Sequence, residues 1–134
     1  MKASKEVAPV FERAGVIVAY LYGSRAKGTN RATSDADVAV LLDGPMELLD
    51  QEALADALAN ALDVPDVDII VLDRASLELR GRVVQEGRLM YSRDDARRVA
   101  FEVRTRSEYL DFLPVLEAHT RRYLHQVARE GLGG

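Results

Sequence analysis

The 134-residue chain contains no cysteine and no tryptophan. Without cysteine, neither a disulfide framework nor a thiolate metal site can form. Basic residues are not in excess either, because 22 acidic residues outnumber 18 basic ones and the formal net charge is -4. A broad electrostatic surface for nucleic acid depends on clustered lysine and arginine. We therefore expect no direct binding of nucleic acid.

Long apolar runs are also absent, since no run approaches the roughly 20 residues that a membrane-spanning helix needs. Residues 1–15 carry charges throughout and contain no apolar segment of the kind found in signal peptides. Hydrophobic residues make up 48% of the chain and charged residues 30%, which is the balance of an ordinary globular protein. We therefore expect a cytoplasmic protein with one hydrophobic core and no membrane association.

The apolar periodicity predicts an alternation of helices and strands. We expect helices at 4–14, 45–62 and 76–87, and strands at 16–22, 37–42, 67–72 and 89–91. The first strand is almost continuously apolar, which favours a central position in a sheet. This order of elements indicates an α+β (α/β-like) fold, in which a small sheet is backed by helices.

The C-terminal part of the chain is helical in composition from Asp94 to Glu130. We expect Pro114 to kink or break this helix into two segments, because proline lacks the backbone donor that a helix interior requires. The predicted inward-facing stripe consists of Val99, Val103, Leu110 and Leu113. We accordingly divide the single domain into a core, residues 1–93, and a C-terminal helical extension, residues 94–134.

Aromatic residues in this extension have two interpretations. Tyr109, Phe112 and Tyr123 can pack in the core or along a helix seam. They can also form a surface for an oligomer or a partner, since aromatic residues concentrate at interfaces. The sequence does not separate these alternatives.

One polar segment stands between the first two strands, within LYGSRAKGTNRATSDADVAVLL at residues 21–42. Asp35 and Asp37 are two positions apart at the start of a strand, so their carboxylates should point to the same face. Two adjacent carboxylates repel each other unless a cation lies between them or one is protonated. Mg²⁺ is suited to this role, because it prefers oxygen ligands and combines carboxylates with substrate phosphates.

Two further features point to the same site. Asp68 is the only polar residue of the strand at 67–72, and a third metal ligand would explain a carboxylate there, because unpaired burial costs several kcal/mol. Gly23 lets a phosphate approach the backbone closely, and a helical turn starting at Ser24 would direct N–H groups at it. The combination indicates nucleotidyl transfer.

The spacing of these motifs resembles the signature of the polymerase-β-like nucleotidyltransferase superfamily. Gly23 and Ser24 are followed, after ten residues, by Asp35-Ala36-Asp37. The finer pattern, Gly23 to Gly28 with Ser34 to Asp37, is similar to the minimal nucleotidyltransferase branch. Lys27 stands where arginine is common in that branch, which preserves the charge. The resemblance implies the polymerase-β-type fold, with a small mixed sheet, and places the third catalytic carboxylate at Asp68.

The resemblance also implies an activity, namely transfer of AMP from ATP with Mg²⁺, two ions being expected. Asp35, Asp37 and Asp68 would be the metal-binding and catalytic residues. Gly23 and Ser24 would seat the triphosphate, while Arg25 and Lys27 would either contact phosphate or be solvated. Members of this branch are often antitoxins of type VII toxin–antitoxin modules that adenylylate a tyrosine of a HEPN-type toxin. Such a toxin is the expected partner, in a hetero-oligomer or beside a homo-oligomer.

Two alternatives remain open at this point. The acceptor could be a small molecule, such as an aminoglycoside, or an RNA end, although the acidic balance disfavours RNA. Alternatively, the protein could be a non-catalytic antitoxin that blocks its partner by binding. Three acids converging on one site favour an enzyme over a pure binder.

Overall fold

The computed structural model describes residues 4–23 and 36–130, with side chains from Val7 onward. The strands are β1 (Val16–Tyr22), β2 (Ala36–Leu42), β3 (Val67–Val71) and β4 (Arg88–Ser92). The helices are α1 (Ser4–Arg13), α2 (Leu48–Leu62), α3 (Leu77–Glu86) and α4 (Asp95–Glu130), and a 3₁₀ turn, Leu72–Arg74, follows β3. Among the described residues, no helix is both long enough and apolar enough to span a membrane.

The four strands form one mixed sheet in the order β3-β2-β1-β4. β1 pairs antiparallel with both β2 and β4, whereas β2 and β3 are parallel. Six of the seven side chains of β1 are buried, because both neighbouring strands and helices on both faces cover it. The predicted central position of this strand and the predicted mixed sheet with helices are therefore confirmed.

Helices cover both faces of the sheet, giving three layers. On one face, Phe11 of α1 and Leu58 of α2 pack against Val38 and Val40 of β2. On the other face, Val83 of α3 and Phe101 of α4 pack against β1 and β2. Burial of these apolar side chains supplies the main driving force for folding, about 25 cal/mol per Å² of apolar surface.

The contact between α3 and α4 is close enough to require a glycine. A Cβ at Gly81 would overlap the ring of Tyr109 on α4. Tyr109 is buried, as are Thr105 and Phe101, which lie one and two turns earlier, respectively, on the same face of α4. These three side chains define the face by which α4 packs on the core.

Two expectations about the C-terminal helix differ from the structure. Pro114 does not break α4 into two segments, because the helix is assigned continuously from Asp95 to Glu130; a proline removes one backbone hydrogen bond, and the bonds on either side can persist. The stripe predicted to face inward is exposed instead: Val99, Val103 and Leu110 are 47%, 59% and 55% exposed. The spacing of apolar residues defines one face of a helix, but it does not show whether another part of the protein packs against that face.

A buried hydroxyl ties α4 to the central strand. Tyr20 Oη of β1 donates a hydrogen bond of 2.6 Å to Glu102 Oε2 of α4, and Glu102 is in turn paired with Arg98 at 3.2 Å. Burial first, and then the hydrogen bond to Glu102, raises the pKa of the Tyr20 phenol well above its ordinary value. The neutral phenol is therefore the form that the fold stabilises.

We expect Tyr20→Phe to lower the free energy of unfolding by about 1–2 kcal/mol at pH 8, because a buried hydrogen bond to a charged group is lost. Since the phenol pKa is raised in the folded state, this contribution is present below the ordinary pKa of about 10 and declines as the pH rises above it. Urea unfolding of both proteins at pH 8 and pH 11 measures the difference.

Tyr91→Phe is the matched control. Its ring packs against Phe11, and within the described part of the chain its hydroxyl has no hydrogen-bond partner. We expect a change below about 0.5 kcal/mol for this variant. An equal loss in both variants, or a loss in Tyr20→Phe that does not shrink at high pH, would contradict the assignment.

Candidate active site

The site begins where β1 ends, at a glycine with a left-handed backbone. Gly23 has φ +83°, a conformation that side chains with a Cβ rarely adopt. A Cβ at this position would lie 2.6 Å from Oδ2 of Asp37. Gly23 is thus required both for the turn and for the close approach of the Asp37 carboxylate to the backbone.

Asp37 and Asp68 are brought together by the pairing of β2 with β3. They are partners in the parallel register, so their Cα atoms lie about one strand spacing apart, roughly 4.8 Å. Register partners project to the same face of a sheet. Each is the second residue of its strand, which places both carboxylates at the same end of the sheet.

Asp68 is not buried, so the expectation that a metal offsets its burial penalty is wrong. β3 is an edge strand, and Asp68 is exposed to solvent, which leaves its carboxylate without such a penalty. Only the strand register places it beside Asp37. Among the described residues, the carboxylate of Asp68 is therefore accessible from solvent.

Asp37 and Asp68 form a row of side chains across the sheet, and Tyr22 adds a third strand to this row. It is the register partner of Asp37 across the antiparallel β1–β2 pair. Tyr22 packs with the residues beneath α3 and α4, so the row Tyr22, Asp37, Asp68 lies on the side of the sheet that those two helices cover. The carboxylates therefore lie at the end of the layer formed by α3 and α4.

The structure also places a cation beside this row, which the residue pattern did not single out. Arg82 of α3 is paired with Glu78 at 3.8 Å. Its pKa is raised by Glu78 first, and then by interactions with the side chains of Tyr109 and Tyr22. Arg82 thus connects the packed face of α4 with the Tyr22 end of the row.

No sequence signal distinguishes Arg82 from Arg80, two positions earlier. Arg80 donates to the carbonyl of Ala75 at 2.7 Å and lies 4.0 Å from Glu108. Its role is therefore to hold α3 in place. Only the tertiary packing shows that Arg82, and not Arg80, interacts with Tyr22, the register partner of Asp37.

The donor set fits a hard divalent cation. Two carboxylates side by side on one face repel each other, and a cation between them removes that repulsion. Asp37 and Asp68 offer oxygen ligands only, as Mg²⁺ prefers. Within residues 4–23 and 36–130 no group of three acidic or histidine side chains forms a metal site. The third predicted ligand, Asp35, lies outside the described residues.

The remaining predicted site residues also lie outside that part of the chain. These are Ser24, Arg25 and Lys27, which follow Gly23 directly. Of the seven predicted site residues, Gly23, Asp37 and Asp68 are described. The structure brings these three together at one end of the sheet, although they come from three different segments of the chain.

Comparison with known families gives a match to most of the core. The model of the polymerase beta nucleotidyltransferase family matches residues 5–96. Among characterised proteins, the protein adenylyltransferase MntA of Shewanella oneidensis is 39% identical over 92 residues. That alignment covers 67% of this chain and 63% of the relative's length.

Solved structures extend the likeness beyond the core. A chain of a toxin–antitoxin crystal structure with AMP-PNP matches with a TM-score of 0.73 and 29% identity. The match covers 93% of this chain and 98% of that chain. A chain of the complex of a tri-AMPylated Shewanella oneidensis HEPN toxin with its MNT antitoxin matches with a TM-score of 0.67 and 27% identity, covering 93% and 95% of the two chains.

We expect Gly23→Ala to act in two ways. The left-handed backbone makes any Cβ unfavourable, at about 1 kcal/mol of unfolding free energy, and the added Cβ displaces the Asp37 carboxylate. Gly15→Ala is the control, because Gly15 has φ +74° but a Cβ there would meet no atom within 4 Å. Chemical denaturation should therefore show a similar loss of stability in both variants.

Calorimetric titration with AMP-PNP and Mg²⁺ separates the two effects. Only Gly23→Ala should weaken binding, by about tenfold or more, since loss of a well-placed ligand interaction costs at least about 1.4 kcal/mol. Equal weakening in Gly15→Ala would show that backbone strain, and not the position of Asp37, governs the affinity.

Proposed function

Because the chain belongs to the polymerase beta nucleotidyltransferase family, we propose that it transfers AMP from ATP to a hydroxyl, that of a tyrosine, on a HEPN-type partner protein. One observation carries the proposal: the register of β2 and β3 sets Asp37 beside Asp68 on one face, next to the glycine turn at Gly23. The similarity to a protein adenylyltransferase and to an antitoxin solved with an AMPylated HEPN toxin supports it.

In this proposal, Asp35, Asp37 and Asp68 would hold two Mg²⁺ ions, and the chemistry that bound Mg²⁺ would supply is neutralisation of phosphate charge and orientation of the reacting oxygens. The acceptor oxygen attacks the α-phosphorus of ATP in line with the leaving group. A bond forms between these two atoms while the bond from the α-phosphorus to the bridging oxygen breaks. Pyrophosphate leaves with that oxygen, and AMP stays on the acceptor.

The proton of the acceptor hydroxyl passes to Asp68 or, through it, to water. Asp68 is suited to this step because it is the exposed member of the pair, and a general base must reach the proton that it removes. Its position on an edge strand admits a hydroxyl presented by another folded protein. Asp37 lies on the inner strand β2. Its proposed role is to bind metal, and it does not remove the proton of the acceptor hydroxyl.

The triphosphate is seated by backbone and cations. The turn at Gly23 allows close approach of phosphate oxygens, and Ser24 adds a hydroxyl donor. Arg25 and Lys27 are further candidate contacts. Arg82, which lies beside Tyr22, supplies a positive charge on the same side of the sheet and would offset part of the phosphate charge.

Adenylylation of the partner is the means by which we propose that this chain acts as an antitoxin of a type VII module. Addition of AMP places a bulky anion on the modified hydroxyl, and charge added next to a catalytic or interface surface disrupts it by repulsion and desolvation. The HEPN-type partner would thereby be inactivated by covalent modification and not by occlusion alone.

We expect Asp37→Asn and Asp68→Asn each to reduce transfer of labelled AMP from ATP by at least about a hundredfold, the range for loss of a metal ligand or general base. Asp56→Asn is the control, since Asp56 is exposed on α2, on the opposite face of the sheet. The assay combines the chain, α-labelled ATP, Mg²⁺ and the HEPN toxin of Shewanella oneidensis, with mass spectrometry of the products.

Unreduced transfer by Asp37→Asn, with the fold intact by circular dichroism, would overturn the proposed mechanism. The same assay tests the other acceptors, because an RNA end or an aminoglycoside can replace the toxin. Label on either of those, with none on the toxin, would reassign the substrate. Toxin inhibition that persists in Asp37→Asn would show that binding alone is sufficient.

A further inference from the structure

α4 is much longer than the core that it packs on. It has 36 residues, which corresponds to a length of about 54 Å at 1.5 Å per residue. Its buried side chains are Phe101, Thr105 and Tyr109, all in the first half of the helix. From Leu110 to Glu130 no side chain is buried. Helices in proteins are stabilised mostly by packing of one face, and the second half of α4 has no such packing within the described chain.

Large apolar side chains lie along the uncovered side of α4. Val99, Val103, Leu110 and Leu124 are 47%, 59%, 55% and 59% exposed, and Leu113 is half-buried. We call these five residues the α4 stripe. At about 100° per residue these five residues fall on one side of the helix. The centre of that side is roughly 120° from the centre of the side that carries the buried residues.

The spacing of the α4 stripe is that of a seam between helices. Alternate steps of four and three residues from Val99 reach Val103, Arg106, Leu110, Leu113, Glu117, Thr120, Leu124 and Val127. Such steps keep side chains facing a neighbouring helix. The polar members at three of these positions limit the apolar area, as expected of a surface that is also exposed to water in the unbound protein.

We propose that the α4 stripe docks a helix of the HEPN-type partner that supplies the acceptor hydroxyl, an inference that rests on the proposed function. The stripe begins beside the packed half of the helix and runs into its free half. It is therefore a continuous surface that connects the catalytic core with the projecting end of α4.

The similarity to toxin–antitoxin structures supports a HEPN-type toxin as the protein that docks on the α4 stripe. The nucleotidyltransferase family model ends at residue 96, just after α4 begins, so most of α4 lies beyond the part of the chain that this model matches. The chains from the two toxin–antitoxin structures each match 93% of this chain. The residues before α4 fall well short of that share, so both matches take in most of α4. The long helix is thus a feature shared with proteins solved together with a toxin.

Packing within the chain connects this surface with the carboxylates. Tyr109 of α4 packs on Gly81 and interacts with Arg82, which in turn interacts with Tyr22. Tyr22 is the register partner of Asp37. A protein docked along α4 is therefore held on the side of the sheet on which Asp37 and Asp68 lie.

The test compares two arginine substitutions on the same helix. Leu110→Arg places a charge in the middle of the α4 stripe, whereas Val115→Arg changes a residue that is 61% exposed and lies away from the stripe. The probe is the HEPN toxin of Shewanella oneidensis, with affinity measured by calorimetry. We expect Leu110→Arg to weaken binding by about tenfold or more, as for a central interface residue, and Val115→Arg by less than about twofold.

Each outcome has one interpretation. Unchanged toxin affinity in Leu110→Arg, or equal weakening in Val115→Arg, overturns the docking surface. If Leu110→Arg alters the mass of the chain alone in light scattering and leaves toxin affinity unchanged, the stripe joins two copies of this chain, which also overturns the proposal. Leu110→Glu is the second variant if the arginine variant fails to fold.

Two readouts separate this proposal from the proposed function. Both arginine variants should bind AMP-PNP and Mg²⁺ as the unchanged chain does, because Leu110 and Val115 are exposed on α4 and neither belongs to the candidate site. Asp37→Asn should bind the toxin with unchanged affinity yet transfer no AMP. Toxin binding that depends on Leu110, without transfer by the unchanged chain, would retain the docking surface and overturn the chemistry.

Discussion

The parallel pairing of β2 with β3 is the constraint on which the site depends. Strands paired in this direction present register partners to the same face, and the partners here are Asp37 and Asp68. A shift of the register by one residue would move Asp68 to the opposite face and leave Asp37 without a neighbouring carboxylate. The core that fixes the register is therefore also the structure that assembles the site.

α4 has two different sides, one that packs on the core and one that is exposed. The side with Phe101, Thr105 and Tyr109 is held on the core by the absence of a side chain at Gly81 and by the buried hydrogen bond from Tyr20 to Glu102. Its other side carries apolar residues into solvent. Because the first half of α4 is anchored in this way, its exposed side is held in a fixed position relative to the core and can serve as the docking surface that we propose.

Much of the fold was predictable because its elements have simple periodicities. The continuous apolar run at 16–22 indicated a central strand, and β1 lies between β2 and β4. The C-terminal helix was predicted as well, but the prediction of its inward side was wrong. Apolar residues occupy more than one side of α4, and only contacts with α3 and the sheet select the side that Phe101 and Tyr109 occupy.

For the candidate site, the sequence by itself determined which chemical groups are available: a glycine turn, two aspartates two positions apart at the start of one predicted strand and a third aspartate in another. Residue types and their local spacing are sufficient for that inference, because both are read directly from the sequence. The tertiary structure alone decided that Asp68 is exposed and paired with Asp37, and that Arg82 reaches Tyr22. These facts follow from strand register and helix packing, which join residues far apart in the chain.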